Sequence, residues 1–266
     1  MKIGLTMSVG GAKGVGHLAV LEVIEELGLD VSYVSSASMG SIAGGLYSMG
    51  LSTKEINEIL LGFISRKKLK ILDFRIPKDS LIAGNRISEA LREVFGLVKF
   101  NNLKKKFYPV ACDITNGKMK AFNSGFVVDA VEASISVPGI FPPKVIDGIK
   151  YVDGGVIDPV PTSVIRDKVD FLIAVKIFPN FHNWNISNKL PILQNMAKSL
   201  TIIESNLADL RLKECPPDFL FEIKSLSQYE LFDIHSAPEV IEKARKAVRE
   251  QLPGLKKALE NRARIP

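Results

Sequence analysis

Residues 31–50 read VSYVSSASMGSIAGGLYSMG, and the reading of this stretch decides the fold. Its first six residues, VSYVSS, form a β-rich run. From about Met39 to Met49 the residues are small or apolar, as in a buried helix. A buried strand turning directly into a buried helix is the unit of a parallel sheet covered on both faces. The uncharged run from Val31 to Thr53 is long enough in principle to span a bilayer. Its density of serine and glycine argues instead for a strand, a tight turn and a helix.

The serines at this junction raise a chemical question. The turn nearly spells G-x-S-x-G, but Ser36 stands where the first glycine belongs. A nucleophile elbow requires small residues two places before and after its serine, because strand and helix backbones approach closely there. Ser35 has Tyr33 before it and Ser36 has Val34. Ser41 has Met39 before it and lies inside the helix. Only Ser38 has small residues on both sides, Ser36 and Gly40. On this stretch alone two readings stand: a catalytic serine, or a Ser/Gly-rich junction without chemistry.

Upstream, KIGLTMSV reads as a short buried strand ending in glycines. GVGHLAVLEVIEELG then places Leu18, Leu21, Ile24 and Leu27 at helical spacing, with Gly28 as the stop. Downstream, Ser52 or Thr53 caps a further helix, and NRISEALREVFG is another. FYPVACDI and KMKAF read as two strands joined at Asn116-Gly117. VVDAVEASISV is a short helix ended by PGIFPP. IDGIKYVDGG is a hairpin whose second strand ends at Asp153. Asp158-Pro159 and Pro161 open a short helix, and DFLIAVKI is a buried strand. A long helix, ILQNMAKSLTIIESNLADLRLK, a last strand, DFLFEI, and a basic amphipathic helix from Pro238 complete the chain. No repeat or linker divides it, so residues 1–266 are expected to form one domain.

The glycine stretch SVGGAKGVGH, Ser8 to His17, follows the first strand and opens the first helix. A dinucleotide fingerprint fails because Val9 occupies its first glycine position, and a phosphate loop fails because Gly14 follows Lys13. An oxyanion hole needs only N–H groups near the nucleophile. Adjacent first and second strands of a parallel sheet bring Gly10, Gly11 and Ser38 together. For a base, the order Ser38, Asp153, then His182 or His235 satisfies a hydrolase triad. Neither histidine has local features of a catalytic group, and His17 reads as structural. The remaining candidate is a carboxylate, Asp153, in YVDGGV, with the turn aspartate of a hairpin as the alternative.

Composition sets the outer bounds. The 266 residues are 46% hydrophobic and 24% charged, with a net charge of +6. That is a globular composition whose mild basic excess fits either contact with anionic surfaces or a soluble enzyme with no charged partner. Two distant cysteines, Cys112 and Cys215, make neither a disulfide framework nor a zinc site, and point to a reducing compartment. No signal peptide is evident.

Four motifs in order, MSVGGAKGVGHLAVLEVIEELGL, SASMGSIAGGLYSMG, ASISVPGIFPP and YVDGGVIDPVP, closely resemble the patatin-like phospholipase family, particularly its compact bacterial members. FYPVACDITNGKMKAF is similar to the segment that precedes the proline-rich turn there. The resemblance covers roughly residues 1–180, the motif-bearing core, leaving about 181–266 as a helical and strand extension. It implies a three-layer α/β/α fold around a mostly parallel sheet. It also implies a Ser–Asp dyad without histidine, with Ser38 as nucleophile and Asp153 as base. Backbone N–H groups around Gly10, Gly11, Lys13 and Gly14 would form the oxyanion hole, with no metal and no cofactor. The implied activity is hydrolysis of acyl esters, as a phospholipase A-type enzyme, lysophospholipase or esterase.

Two positions depart from the family pattern. Val9 replaces the first glycine of the oxyanion loop, and Ser36 the first glycine of the elbow. Val9 is expected to narrow the loop and Ser36 to hydrogen-bond near Ser38. They motivate an alternative, a weakly active scaffold or regulatory protein. The expected partner is a lipid or acyl ester and not a nucleic acid. Arg66–Lys70, Asn101–Phe107 and Phe178–Trp184 combine basic and apolar residues. They read either as solvated loops packed on the core or as a lid and docking face for an anionic membrane. The expected location is cytoplasmic, with peripheral contact at the inner membrane face as its extension.

Overall fold

Strand β2 (Val31–Ala37) runs without interruption into helix α2 (Met39–Ser48), as the sequence predicts. The computed structural model describes residues 1–65, 85–177, 191–229 and 236–264. Around this unit lie β1 (Ile3–Met7), α1 (His17–Glu26), α3 (Thr53–Ser65), α4 (Asn85–Phe95), β3 (Lys106–Asp113), β4 (Lys118–Ala121) and α5 (Val127–Ser134). There follow β5 (Lys144–Ile146), β6 (Ile149–Asp153), β7 (Phe171–Ile177), α6 (Pro191–Glu214), β8 (Phe219–Ile223) and α7 (Ala237–Ala263).

The strand order is β5-β6-β3-β2-β1-β7-β8, with β4 paired to β3. From β3 to β8 every neighbour is parallel, whereas β4, β5 and β6 are antiparallel. The hairpin signals account for the antiparallel edge. Gly117 (φ 63°) turns β3 into β4, and Asp147 (φ 50°) with Gly148 (φ 77°) turns β5 into β6. Asp147 is thus the turn aspartate of this hairpin. The stretch after Asp158-Pro159 forms two single 3₁₀ turns, Thr162–Val164 and Arg166–Lys168, in place of the expected short helix.

The period-two alternation of the strands separates two cores. Ile3, Leu5 and Met7 of β1 and Phe171, Ile173, Val175 and Ile177 of β7 join the helical layer built on α1 to α5 and α7. Ala174 faces the other way, onto Val160 and onto Ala208 and Leu212 of α6. Helices therefore flank both faces of the sheet. Each fully buried Leu or Phe of this kind contributes roughly 1.5–3 kcal/mol. β8 and α7 belong to the same framework as β1: Phe221 and Ile223 lie in the main core with Val240, Ile241, Ala244 and Val248.

Two smaller expectations have structural outcomes. Ser52 and Glu55 cap α3 reciprocally: Ser52 N–H and Oγ donate to Glu55 Oε2 at 2.8 and 2.7 Å, and Glu55 N–H donates to Ser52 Oγ at 3.3 Å. Lys105, from the basic segment Asn101–Phe107, donates to the Val31 carbonyl at 2.9 Å and stands 4.8 Å from the Tyr47 ring centroid. That places it at the start of β2, the opposite end of the strand from Ser38. Arg66–Lys70 and Phe178–Trp184 lie outside the described residues.

Candidate active site

Ser38 is the residue between β2 and α2, and its backbone is held at φ 53°, ψ −131°. A non-glycine residue in this region stores about 1–3 kcal/mol of strain, which the surroundings must offset. A chain of buried serines does so. Ser134 Oγ donates to the Val110 carbonyl at 2.6 Å. Its lone pairs then accept from the Ser38 N–H at 3.1 Å and from Ser41 Oγ at 2.8 Å. With its proton committed, Ser41 accepts from Ser36 Oγ at 2.9 Å. Ser36 is the outer member of this chain, so its hydroxyl does bond near Ser38 and helps fix the turn. The Ser38 N–H is engaged in the same chain.

Gly40 supplies the second requirement of the turn. A Cβ there would sit 2.6 Å from the carbonyl oxygens of both Met7 and Ser8. Only glycine lets α2 begin against the end of β1.

The ladders bring Asp153 to the same place. On one side of β3, Ala37 pairs with Val110, and on the other Asp153 pairs with Ala111. One strand therefore separates Ser38 from Asp153. The Asp153 N–H donates to the Ser136 carbonyl at 2.9 Å, which fixes the end of β6. Its Oδ1 accepts from the Gly155 N–H at 2.7 Å. Its Oδ2 is buried without a hydrogen-bond partner among the described residues. The Ser38 side chain is close enough to favour the Asp153 anion. The two groups nevertheless stop short of a closed hydrogen bond, a looseness common before substrate binds. Burial pushes the Asp153 carboxyl up to about 7, against the Gly155 N–H and the Ser38 hydroxyl, which favour its anion.

The glycine stretch forms a 3₁₀ turn, Gly11–Gly16, at the end of β1. Met7 pairs with Ser36, so the turn lies beside the elbow. Gly14 touches it directly: a Cβ there would meet Met39 Cγ at 2.3 Å. Gly10 is extended and Gly11 left-handed at φ 54°. Their N–H groups lie at the start of the turn, where intrahelical bonding does not use them. Lys13 is buried in the turn, and that burial lowers its ammonium pKa to about 8. Val9 does not narrow the turn as expected. Its N–H donates to the Pro159 carbonyl at 3.0 Å, and its Cγ1 would lie 2.9 Å from a Cβ at Gly155. It forms an apolar wall beside Asp153.

His17 is structural, as its place on the first helix suggests. Its Nε2–H donates to the Ser8 carbonyl at 2.9 Å, and burial pushes its pKa down to about 4. His182 and His235, the other triad candidates, lie outside the described residues. Two groups at the site escape a reading by motif. Ser134 sits in the ASISVPGIFPP motif, but nothing local marks it as the acceptor for Ser38. Glu204 of α6 reaches the Asp153 turn from 50 residues further along. The available signal is its position, three after Thr201 and four before Ala208, both buried. Among the described residues, no group of three or more His, Cys, Asp or Glu is placed to hold a metal.

The family profile of patatin-like phospholipases matches residues 5–165, and the chain belongs to this family. An uncharacterized NTE family protein of Mycobacterium bovis is 31% identical over 177 residues, covering 66% of this chain and 49% of that protein. Lysophospholipase NTE1 of Scheffersomyces stipitis is 26% identical over 216 residues, covering 73% of this chain and 14% of that protein. The chain thus spans half or less of the length of these relatives. In fold, it is similar to VipD from Legionella pneumophila, with a TM-score of 0.61 and 12% identity over 95% of this chain and 66% of that one. It is also similar to human GIVD cytosolic phospholipase A2, with a TM-score of 0.51 and 10% identity over 98% of this chain and 58% of that one. No described helix is long and apolar enough to cross a membrane.

Proposed function

We propose that the chain is a serine lipid acyl hydrolase whose dyad is Ser38 and Asp153. The observation that carries this reading is the strained Ser38 turn, held one strand away from a buried carboxylate with an unpartnered oxygen. Asp153 takes the Ser38 proton as Oγ attacks the acyl carbonyl. The N–H groups at Gly10 and Gly11 receive the negative charge of the tetrahedral intermediate, with Lys13 and Gly14 shaping the loop. Asp153 returns the proton to the leaving alcohol, and water then cleaves the acyl-enzyme by the reverse use of the same groups. The Gly155 N–H orients Asp153 from one side, and the steps written here use neither a histidine nor a metal.

The scaffold alternative rested on Val9 and Ser36. Both have structural uses that leave the turn intact, which favours an active enzyme. The substrate we infer is a lipid carrying a carboxylic ester, and a lysophospholipid is the first to test. Steady-state hydrolysis of lysophosphatidylcholine by the wild type and by Asp153→Asn tests the proposal. Loss of the base should cost about 10²–10⁴ in kcat. An Asp153→Asn variant as active as the wild type removes Asp153 from the mechanism.

A further inference from the structure

Glu204 is a half-buried acidic residue on the face that α6 turns toward the sheet. It lies between Thr201 and Ala208, the buried positions of its helix face, and α6 packs on the turn that follows Asp153. A Cβ on Gly155 would sit 2.5 Å from Glu204 Oε1 and 3.1 Å from Asp153 Oδ1. The two carboxyl groups are therefore neighbours across the space that Gly155 leaves empty. Val9 Cγ1 closes the third side of that space with an apolar group, 2.9 Å from the same point. Among the described residues no salt bridge to Glu204 or Asp153 is formed.

Two carboxylates this close, with no cation paired to either among the described residues, do not both ionise near neutrality, so the pair retains one proton. The surroundings decide which member keeps it. Asp153 has the Gly155 N–H and the Ser38 hydroxyl to favour its anion, and Glu204 has neither. We propose that Glu204 is a positioning residue that works as a neutral carboxylic acid, holding the shared proton beside ionised Asp153 and steadying it. In this role it takes the place of the orienting third member of a triad. This inference rests on the dyad reading above.

The electrostatics agree with the geometry. Burial and the Asp153 charge push Glu204 up to about 8, above Asp153. Of the other charged groups nearby, Asp209 on α6 pairs with Lys176 of β7, and Arg211 faces Asp158. Lys13 titrates in the same range as Glu204 but is an ammonium, and His17 titrates far below it. Once Glu204 ionises, two anions repel across one gap and Asp153 loses its neighbour's support.

The test has two arms on the full chain. Infrared titration from about pH 6 to about pH 9 reads the proton directly, through the carboxylic acid C=O band. The wild type should lose such a band near pH 8, after the step of Asp153 near pH 7, and Glu204→Gln should lack the upper step. A band that titrates identically in Glu204→Gln, or none in the wild type, overturns the assignment. This arm holds whether or not the chain hydrolyses esters, so its failure is separable from that of the dyad. The second arm is the pH profile of kcat for a short-chain ester. Glu204→Gln keeps a neutral donor and should retain kcat within about threefold while losing the alkaline fall. Glu204→Leu keeps the packing without the donor and should lose about tenfold in kcat. Equal activity in Gln and Leu variants that both fold would reduce Glu204 to a packing residue and overturn the proposal.

Discussion

At Ser38 the backbone is held in a region that residues with side chains avoid, and a serine hydroxyl from α5 holds it there. Among the described residues Ser134 is the one partner of the Ser38 N–H, and it also satisfies Val110. Ser134→Ala leaves both groups unpaired in a buried site. It should cost about 1–3 kcal/mol of stability and lower kcat more than it raises KM. Thermal unfolding and steady-state kinetics read the two effects, and an unchanged kcat would detach the serine chain from the site. At Asp153, activity requires the ionised carboxyl, whose pKa burial raises to about 7. The acid limb of kcat/KM should therefore lie near neutrality, with activity rising as pH increases. A limb in the ordinary carboxylate range would mean that the working base is solvated. Neighbour size alone singled out Ser38 among four serines in the sequence. Ser134 was not legible, because its role depends on where the β2–β3 ladder places Val110.

At the scale of elements, glycines set how closely strand and helix ends meet. Gly40→Ala drives a methyl group into two backbone carbonyls, which cannot swing aside as a side chain can. The expected outcome is a loss of about 1–3 kcal/mol or more, with Ser38 reactivity lost alongside. A variant with wild-type melting temperature would contradict the packing described here. The strands and helices were mostly readable, because β7 is a short continuous apolar run and α1 carries a clean period of 3.6 residues. The stretch after Asp158 misled for a local reason. Its prolines start turns, and the chain closes two 3₁₀ turns before Val169 in place of a helix. Val9 misled for a non-local one. Its side chain meets Gly155, a contact made only when β1 and the end of β6 lie in one sheet.

The whole molecule carries a cost at this site. Asp153 and Glu204 keep protons in the folded chain at pH values where the unfolded chain has lost them. The unfolded state then binds fewer protons, so stability falls as pH rises between about 4 and about 8. Asp153→Asn removes one such group. It should match the wild type near pH 4 and exceed it by on the order of 1–4 kcal/mol near pH 8, as read by melting temperature. An activity-bearing site bought at the expense of stability is expected of enzymes. The segment beyond the family match is also built into the structure. Gly16 of the glycine turn lies against Ala244 of α7 and Leu226, α7 ties to α1 through Arg245 and Glu22, and α6 brings Glu204 to Asp153. A chain ended before α6 should not fold, because Phe221 and Ile223 leave the core with Val240 and Val248. No local pattern marks these contacts, since each pairs residues far apart along the chain.

The central claim is that Ser38 is the nucleophile. Labelling with a fluorophosphonate probe, followed by peptide mass mapping, tests it most directly. One adduct on Ser38 in the wild type, absent from Ser38→Ala together with ester hydrolysis, is the result expected here. An adduct that persists in Ser38→Ala, or that maps to another residue of the wild type, would contradict it.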